Sequence, residues 1–216
     1  PKLTDVGNES TGPAATALLS CADGDLASSG QFTEGEHVKM IATDGTVGIY
    51  ILSDASETGA VASGTVLTAT SDLGTGVPST ALLAAGTCIA VTCNLNTNSQ
   101  ATVLNEFKDT IASTNSPLKD KITGGTITGT GDGLQSITFT QVTAGSSGNT
   151  AITTDISQFT ETDFSGGGMI TTAGHVGAND FILTNDESFL PNSDADNRDY
   201  STDFAAITHN GNATGA

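Results

Sequence analysis

The 216-residue chain is long enough for one domain with a sizeable core, and its charge is one-sided, because 24 Asp and Glu residues against 6 Lys and Arg residues give a formal net charge of −18. Such a surface repels phosphate backbones and anionic headgroups, which excludes nucleic acid and membranes first as partners. Trp is absent, whereas 36 threonines and 26 glycines favour β-structure with an aliphatic core.

Residues 1–34 are rich in Gly, Ser, Ala, Asp and Thr and hold one short apolar patch, Ala17-Leu18-Leu19. A segment with so little to bury is typical of an arm that orders by contact, with plain disorder as the alternative. We therefore predict an extended N-terminal arm over 1–34, a β-rich core domain over 35–172 and an extended, surface-lying tail over 173–216.

The clearest local signal is a hairpin. Apolar residues alternate or run through 38–42 and 47–52, on either side of Asp44-Gly45. This dipeptide suits a type I′ turn, in which both central residues have a positive φ. A weaker strand is predicted at 65–69.

The continuous apolar run 88–93 predicts a central strand that is covered on both faces. Cys88 and Cys93 lie five residues apart on it, so they should point to opposite faces and form no disulfide with each other. Together with Cys21 they are expected to be small, buried, reduced side chains.

One amphipathic helix is predicted near 99–113. Its apolar residues recur at helical spacing and form one stripe, which we expect to pack on the sheet: Val103, Leu104, Phe107 and Ile111. Thr97 and Gln100 have the spacing of a capping box at its start.

Two threonine-rich strands, at 126–130 and 136–140, are expected to form a second hairpin around the turn 131–133. The segment 145–149 predicts a tight reversal that begins at Gly145, with Gly148 and Asn149 in left-handed conformations, before a short strand at 150–153. Together these elements predict an α+β fold, predominantly β, of antiparallel hairpins with one packed amphipathic helix and extended N- and C-terminal arms.

No catalytic, metal-binding or cofactor-binding residue is predicted. His37, His175 and His209 are far apart and have no metal-ligand spacing, and no nucleophile elbow, Walker loop or dinucleotide motif is present. We expect His37, beside Glu36 at the start of a strand, to be an exposed edge residue. The N-terminus lacks the pattern of a secretory signal, so we expect a soluble intracellular product.

One acidic stretch, 194–199, begins like an EF-hand calcium loop. Arg198 then occupies the third ligand position, and Asp199 stands where the turn glycine belongs. A solvated acidic loop is therefore the expectation, with an irregular cation site at Asp194–Asp199 as the alternative.

The order of a helix, two threonine-rich strands, the segment TAGSSGNTAIT at 143–153 and FSGGG at 164–168 resembles a module of tailed-bacteriophage structural proteins. Tail-sheath chains, tail-tube chains and small head proteins carry something similar, and the resemblance covers roughly residues 97–168. It implies binding without chemistry. The chain is shorter than sheath proteins usually are, and its length favours a small accessory virion protein.

The resemblance thus implies a capsid decoration or cement protein. It would be made in the host cytoplasm, bind the major capsid protein or other virion proteins, and assemble as a homo-oligomer or a lattice-bound copy at the capsid surface. A tail tube or fibre component is the nearest alternative. Two alternatives of other classes are a Ca²⁺-dependent extracellular adhesin or surface-layer module and, weakest, a glycan hydrolase.

Overall fold

The computed structural model describes residues 12–21, 32–129 and 134–168, and the fold is α+β and mainly β, as predicted. The strands in these ranges are β1 (Thr16–Cys21), β2 (His37–Ile41), β3 (Val47–Asp54), β4 (Val66–Leu67), β5 (Thr87–Cys93), β6 (Ile122–Gly124), β7 (Gln135–Gln141), β8 (Ile152–Thr154) and β9 (Phe159–Ser165). The α-helices in the same ranges are α1 (Thr80–Ala85) and α2 (Gln100–Ile111).

The strands form two sheets. The four-stranded sheet is antiparallel throughout, in the order β6-β7-β1-β9. The five-stranded sheet has the order β4-β5-β3-β2-β8, and in it β3 and β5 run parallel. Hairpins alone were predicted, so this parallel pair is a departure from the prediction. A parallel pair cannot be joined by a tight turn and needs a crossover connection, which here runs through β4 and the unpredicted α1.

The five-stranded sheet is covered on both faces. One face, together with the four-stranded sheet and α2, encloses the main core, which includes Leu19, Val38, Tyr50, Val91, Phe107 and Phe139. The other face packs under α1 and the preceding loop, in a second cluster that includes Ile49, Ile51, Cys88 and Ala90. Strands buried on both faces read as continuous apolar runs, which is the pattern seen in 88–93.

Helix α2 presents its apolar stripe to the main core. All four side chains of the predicted stripe are at most 1% exposed: Val103, Leu104, Phe107 and Ile111. The helix begins after Ser99, whose Oγ accepts a hydrogen bond from the Thr102 N–H at 3.3 Å. The capping box predicted from Thr97 and Gln100 is therefore wrong, because Ser99 is the residue that caps the helix.

Strand β1 lies inside the region predicted to be an arm. It occupies an internal position in the four-stranded sheet, where Leu19 pairs with Ile137 of β7 on one side and with Glu161 of β9 on the other. β1 is held in place by pairing with strands more than a hundred residues away in sequence, and no local pattern in the sequence indicates such pairing. Residues 1–11 and 22–31 of the predicted arm, and the whole predicted tail over 173–216, lie outside the described residues.

The connection between β2 and β3 is not the predicted type I′ turn. The Gly45 N–H donates to the Ala42 carbonyl, and the Ala42 N–H donates to the Thr46 carbonyl, both at 2.9 Å. Of the two central residues, only Gly45 has a positive φ, 82°. This is the pattern of a three-residue hairpin loop that ends in a left-handed glycine. The Asp44 carboxylate accepts from the Thr46 N–H at 3.0 Å and from Lys121 Nζ at 2.7 Å.

The reversal at 145–149 has a different left-handed residue from those predicted. Gly145 has φ 119°, Ser146–Gly148 form one 3-10 turn, and Asn149 has φ −76°. Gly148 is tightly packed instead, since a Cβ there would lie 3.2 Å from Gln141 Cγ. The left-handed conformations predicted for Gly148 and Asn149 are therefore wrong.

The second predicted hairpin is shorter than expected. β7 alternates as predicted, with Ile137 and Phe139 fully buried, but in the described part of the other segment, 126–129, the pairing is limited to a bridge between Thr128 and Ser136. β6 lies earlier, at Ile122–Gly124, and the turn 131–133 is outside the described residues. Strand β9 was not predicted.

Candidate functional site

One histidine and one aspartate meet at the start of β2. His37 Nδ1 lies 2.9 Å from Asp155 Oδ2, and the His37 N–H donates to Asp155 Oδ1 at 2.6 Å. β2 is an internal strand and the His37 side chain is only 18% exposed, so the predicted exposed edge position is wrong. The pair ties β2 to the segment that follows β8. His175, His209 and the stretch 194–199 lie outside the described residues.

The neighbouring Glu36 lies close enough to Asp155 for the two carboxyl groups to interact electrostatically. Burial raises the pKa of its carboxyl group, against hydrogen bonds from the Thr33 and Ser157 backbones, and the negative charge of Asp155 raises it further. In the described ranges, no group of three or more His, Cys, Asp and Glu residues is placed to hold a metal ion.

All three thiols are free and buried. Cys88 belongs to the cluster under α1 and Cys93 to the main core, so the two point to opposite faces of β5. Burial raises the pKa of Cys21 and of Cys93 to about 12, and Glu106 and Asp54 add to the shift at Cys93. Thiols of this kind stay protonated near neutral pH and are poor nucleophiles.

A buried carboxylate lies where the parallel strands end. Asp54, 8% exposed, closes β3 and accepts hydrogen bonds from the Ser56 N–H at 2.9 Å and the Ser56 Oγ at 2.8 Å. The Leu95 N–H, which follows β5, donates to the same oxygen at 3.5 Å. Burial alone would raise the pKa of Asp54, but these donors outweigh it and lower the pKa. The carboxylate therefore joins the two strand ends as a structural cap.

A groove of about 610 Å³ lies between the end of α2 and the segment around β6. Lys108 and Lys119 line it, and so do Asp109 and Asp120. Lys108 Nζ is 3.4 Å from Asp109 Oδ1. Two positive and two negative side chains leave the groove without a preference for a ligand of either sign.

The two motifs that carry the sequence resemblance meet in space. The Asn149 side-chain amide donates to the Gly167 carbonyl and accepts from the Gly167 N–H, both at 2.9 Å. This reciprocal pair imitates one register position of a β-ladder. A Cβ on Gly167 would lie 2.4 Å from the Gly145 carbonyl oxygen, so only glycine fits there.

The same place receives the chain just before β1. The Pro13 carbonyl accepts from the Gly145 N–H at 3.4 Å and from the Gly168 N–H at 3.3 Å. We call this set of five residues the junction: Pro13, Gly145, Asn149, Gly167 and Gly168. The first and last described stretches of the chain, 12–15 and 166–168, therefore lie side by side.

The outer side of the four-stranded sheet is lined by hydroxyl groups in rows that cross the strands. Paired residues on neighbouring antiparallel strands share a face, so the rows follow from the register. The first row is Thr123, Thr140, Thr16 and Ser165, and the pairing of β1 with β9 shifts register between this row and the next. The middle row is Thr138, Leu18 and Thr162, and the third row is Thr128, Ser136, Ser20 and Thr160.

We call these eleven residues the hydroxyl face. No side chain in it is ionisable, although the chain carries a net charge of −18. Leu18, 37% exposed, is its only apolar side chain, and Ser20, at 6%, is nearly covered. Thr16, Thr138 and Thr160 are exposed. The face is thus neutral and mainly polar, unlike the predominantly apolar lining of most small-molecule pockets.

Sequence reasoning missed both features. The period-two series Thr16, Leu18, Ser20 and the pair Thr160, Thr162 are the local signals for the hydroxyl face, but they become rows only through pairing with β7. The junction has no local signal, because it joins residues that are up to 155 positions apart.

Comparisons with family models, with curated proteins and with solved structures found no match. Neither helix in the described ranges has the length and apolar character that crossing a bilayer requires.

Proposed function

We propose that the chain is a non-enzymatic structural protein of a tailed-bacteriophage particle, most simply a capsid decoration or cement protein bound in many copies to the major capsid protein. The proposal starts from the sequence resemblance over residues 97–168. The observation that carries it is the junction, because the two resembling motifs, 145–149 and 166–168, are the ones that fasten it.

The junction suits a protein that binds its partner through its N-terminal and C-terminal segments. Residues 1–11 and 169–216 are joined to the described unit at adjacent points, next to Pro13 and Gly168. Attachments that start from one fixed place add to each other through effective concentration, so that contacts weak by themselves hold a copy on a lattice. The Asn149 amide and the close packing of Gly167 hold the segments together at that place.

Several ionisable side chains of the described unit hold parts of the fold together. His37 and Asp155 join two segments, Asp54 joins two strand ends, and Asp72 accepts from the Thr68 and Ala69 N–H groups at 2.6 and 2.9 Å. This use of carboxylates supports a role as a scaffold.

The test is a count. Particles of the phage that encodes the chain are purified, and the chain is quantified by mass spectrometry against the major capsid protein. A decoration protein is expected at a fixed, symmetry-related ratio and in many copies. A few copies per particle, or copies confined to isolated tails, would contradict capsid decoration, and absence from particles would contradict the virion role altogether.

A binding experiment adds a matched control. Particles stripped of the chain are mixed with purified wild type, G167A or G168A. We expect wild type and G168A to rebind and G167A to rebind more weakly, since a Cβ at Gly168 meets no atom within 4 Å. Equal rebinding by G167A, once it is shown to be folded, would contradict a role of the junction in attachment.

A further inference from the structure

We propose that the groove between α2 and β6 binds an extended, uncharged segment of another protein, which adds to the open edge of β6 as a further strand. The proposal goes beyond attachment to a capsid and does not depend on it, because it concerns the free chain. It rests on the backbone of the edge strand, on the space beside it and on the distribution of charge.

The first argument is the backbone of β6. The Lys121 carbonyl accepts from the Val142 N–H, and the Gly125 N–H donates to the Thr138 carbonyl, both at 2.8 Å. In an antiparallel ladder, residues flanked by such bonds turn their own N–H and C=O groups away from the partner strand, so both groups of Gly124 point away from β7. In the described part of the chain, no backbone group pairs with either of them.

The carbonyl of Ile122 points away from β7 in the same way, whereas the Ile122 N–H donates to the Leu118 carbonyl at 3.1 Å. The edge therefore presents, in chain order, an acceptor at Ile122 and then a donor and an acceptor at Gly124. An extended backbone offers the matching groups at the same spacing, since alternate residues of a strand face the same neighbour. The chemistry of the edge thus identifies its occupant as a strand.

The second argument is a comparison with β9, at the far edge of the same sheet. There the Phe164 N–H donates to the Thr150 carbonyl, and the Asp163 carboxylate accepts from the Ile152 N–H, both at 2.9 Å. The segment that leads into β8 thus covers part of this edge, and a carboxylate lies on it. Covers and charges of this kind protect edge strands from pairing with other chains. β6 has no charged residue, because its sequence is Ile-Thr-Gly.

The third argument is the space along this edge. The groove of about 610 Å³ runs beside Gly124 and Gly125, which have no side chains, and its opposite wall is the end of α2 with Lys108 and Ala112. A Cβ on Gly124 would lie 2.6 Å from Lys108 Cγ, so the lysine stem packs directly against the strand. Half-buried Ile127, which packs against the main core, adds apolar surface to the lining. Side chains of an added strand that point toward α2 would enter this space.

The fourth argument is charge. Three of the four lysines in the described ranges line the groove or lie next to it, at 108, 119 and 121. Asp109 and Asp120 balance the two lysines that line it, so the groove is close to neutral within a chain of net charge −18. This neutral site favours an uncharged occupant, because neither a cationic nor an anionic side chain finds an excess of opposite charge there.

The first test is an NMR titration of the isotope-labelled full chain with a strand-forming probe, acetyl-Thr-Val-Thr-Val-Thr-amide. A few backbone bonds at an exposed edge are expected to give a Kd on the order of 1 mM, because ordering the peptide offsets most of their energy. The Gly124 amide proton should shift to lower field and exchange more slowly with solvent as peptide is added. An unchanged Gly124 amide at about 10 mM peptide would overturn the proposal.

A modified peptide separates strand addition from side-chain binding. The same sequence with N-methyl groups on its central amides keeps the side chains but loses the backbone donors. It should bind at least about tenfold more weakly. Equal binding by the two peptides would show that the groove recognises side chains alone and would contradict strand addition.

Variants locate the site. A112F fills the groove from the end of α2 and is expected to weaken peptide binding at least about fivefold. The matched control is A84F in α1, which packs on the other sheet, and it is expected to bind like wild type. Both alanines are exposed, so neither variant disturbs the core. Peptide binding by A112F as tight as by wild type would contradict this location.

Sedimentation equilibrium of the full chain distinguishes the proposed occupant from a second copy, whose own β6 could pair with this edge. We expect a monomer, because two copies of net charge −18 repel each other. A dimer that wild type and A84F form and A112F does not form would show that a second copy occupies the edge, and it would overturn the proposal.

Discussion

The side-chain amide of Asn149 pairs with the backbone of Gly167 through two hydrogen bonds of 2.9 Å, so a side chain takes the place of a neighbouring strand. The pair closes the chain after β9 against the turn after β7. The Pro13 carbonyl then joins both to the stretch before β1. Three segments remote in sequence are thereby fixed at one point.

The close packing at this point predicts a steric effect. G167A should lower the free energy of unfolding by about 1–3 kcal/mol, because its Cβ would lie 2.4 Å from the Gly145 carbonyl oxygen and the backbone must shift. G168A should change it by less than about 0.5 kcal/mol. Urea denaturation followed by circular dichroism measures both. Equal stability of the two variants would show that the junction does not pack as described.

The sequence predicted the elements whose signals are local. The α2 stripe follows one helical period and the 88–93 strand is one continuous apolar run, and the structure buries the apolar residues of both. β1 was assigned to an arm because its apolar patch, Ala17-Leu18-Leu19, is short and lies in a segment rich in Gly, Ser, Ala, Asp and Thr, and pairing with β7 and β9 makes it a strand. α1 has only six residues, too few to show a helical period, and edge strand β9 has only two apolar residues, Phe159 and Phe164.

A buried hydroxyl pair in the main core gives a second prediction. The Tyr50 hydroxyl lies 2.7 Å from Ser116 Oγ, which also accepts from the Leu118 N–H at 3.2 Å. Y50F and S116A should each cost about 1–2 kcal/mol, since each leaves a buried polar group with one partner fewer. In a double-mutant cycle by urea denaturation we expect a coupling energy of about 1 kcal/mol, and strict additivity would argue against the bond.

The cap at Asp54 predicts acid sensitivity. Its pKa is lowered in the folded state, so its contribution to stability is complete above the ordinary pKa of an aspartate and is lost as pH falls through the lowered value. Melting temperatures measured between pH 6 and about pH 2 should therefore fall less steeply for D54N than for wild type. D109N removes an exposed carboxylate and serves as the control. Parallel curves for wild type and D54N would contradict the assignment.

The burial of the three thiols predicts that they react slowly with thiol reagents in the native protein. Because burial raises the pKa of Cys21 and Cys93 to about 12 and also raises that of Cys88, native protein at pH near 8 should react very slowly with a thiol reagent. After denaturation, three thiols per chain should titrate. A fast-reacting thiol in the native protein, or fewer than three after denaturation without reductant, would conflict with three buried, reduced cysteines.

The virion role is tested most directly by an image of the particle. The chain is labelled with a compact tag at an exposed site away from the junction and the hydroxyl face, and labelled particles are averaged by electron microscopy. We expect label density repeated over the head with the symmetry of the capsid lattice. Density restricted to the tail would contradict capsid decoration, and particles without any label would contradict a structural role in the virion.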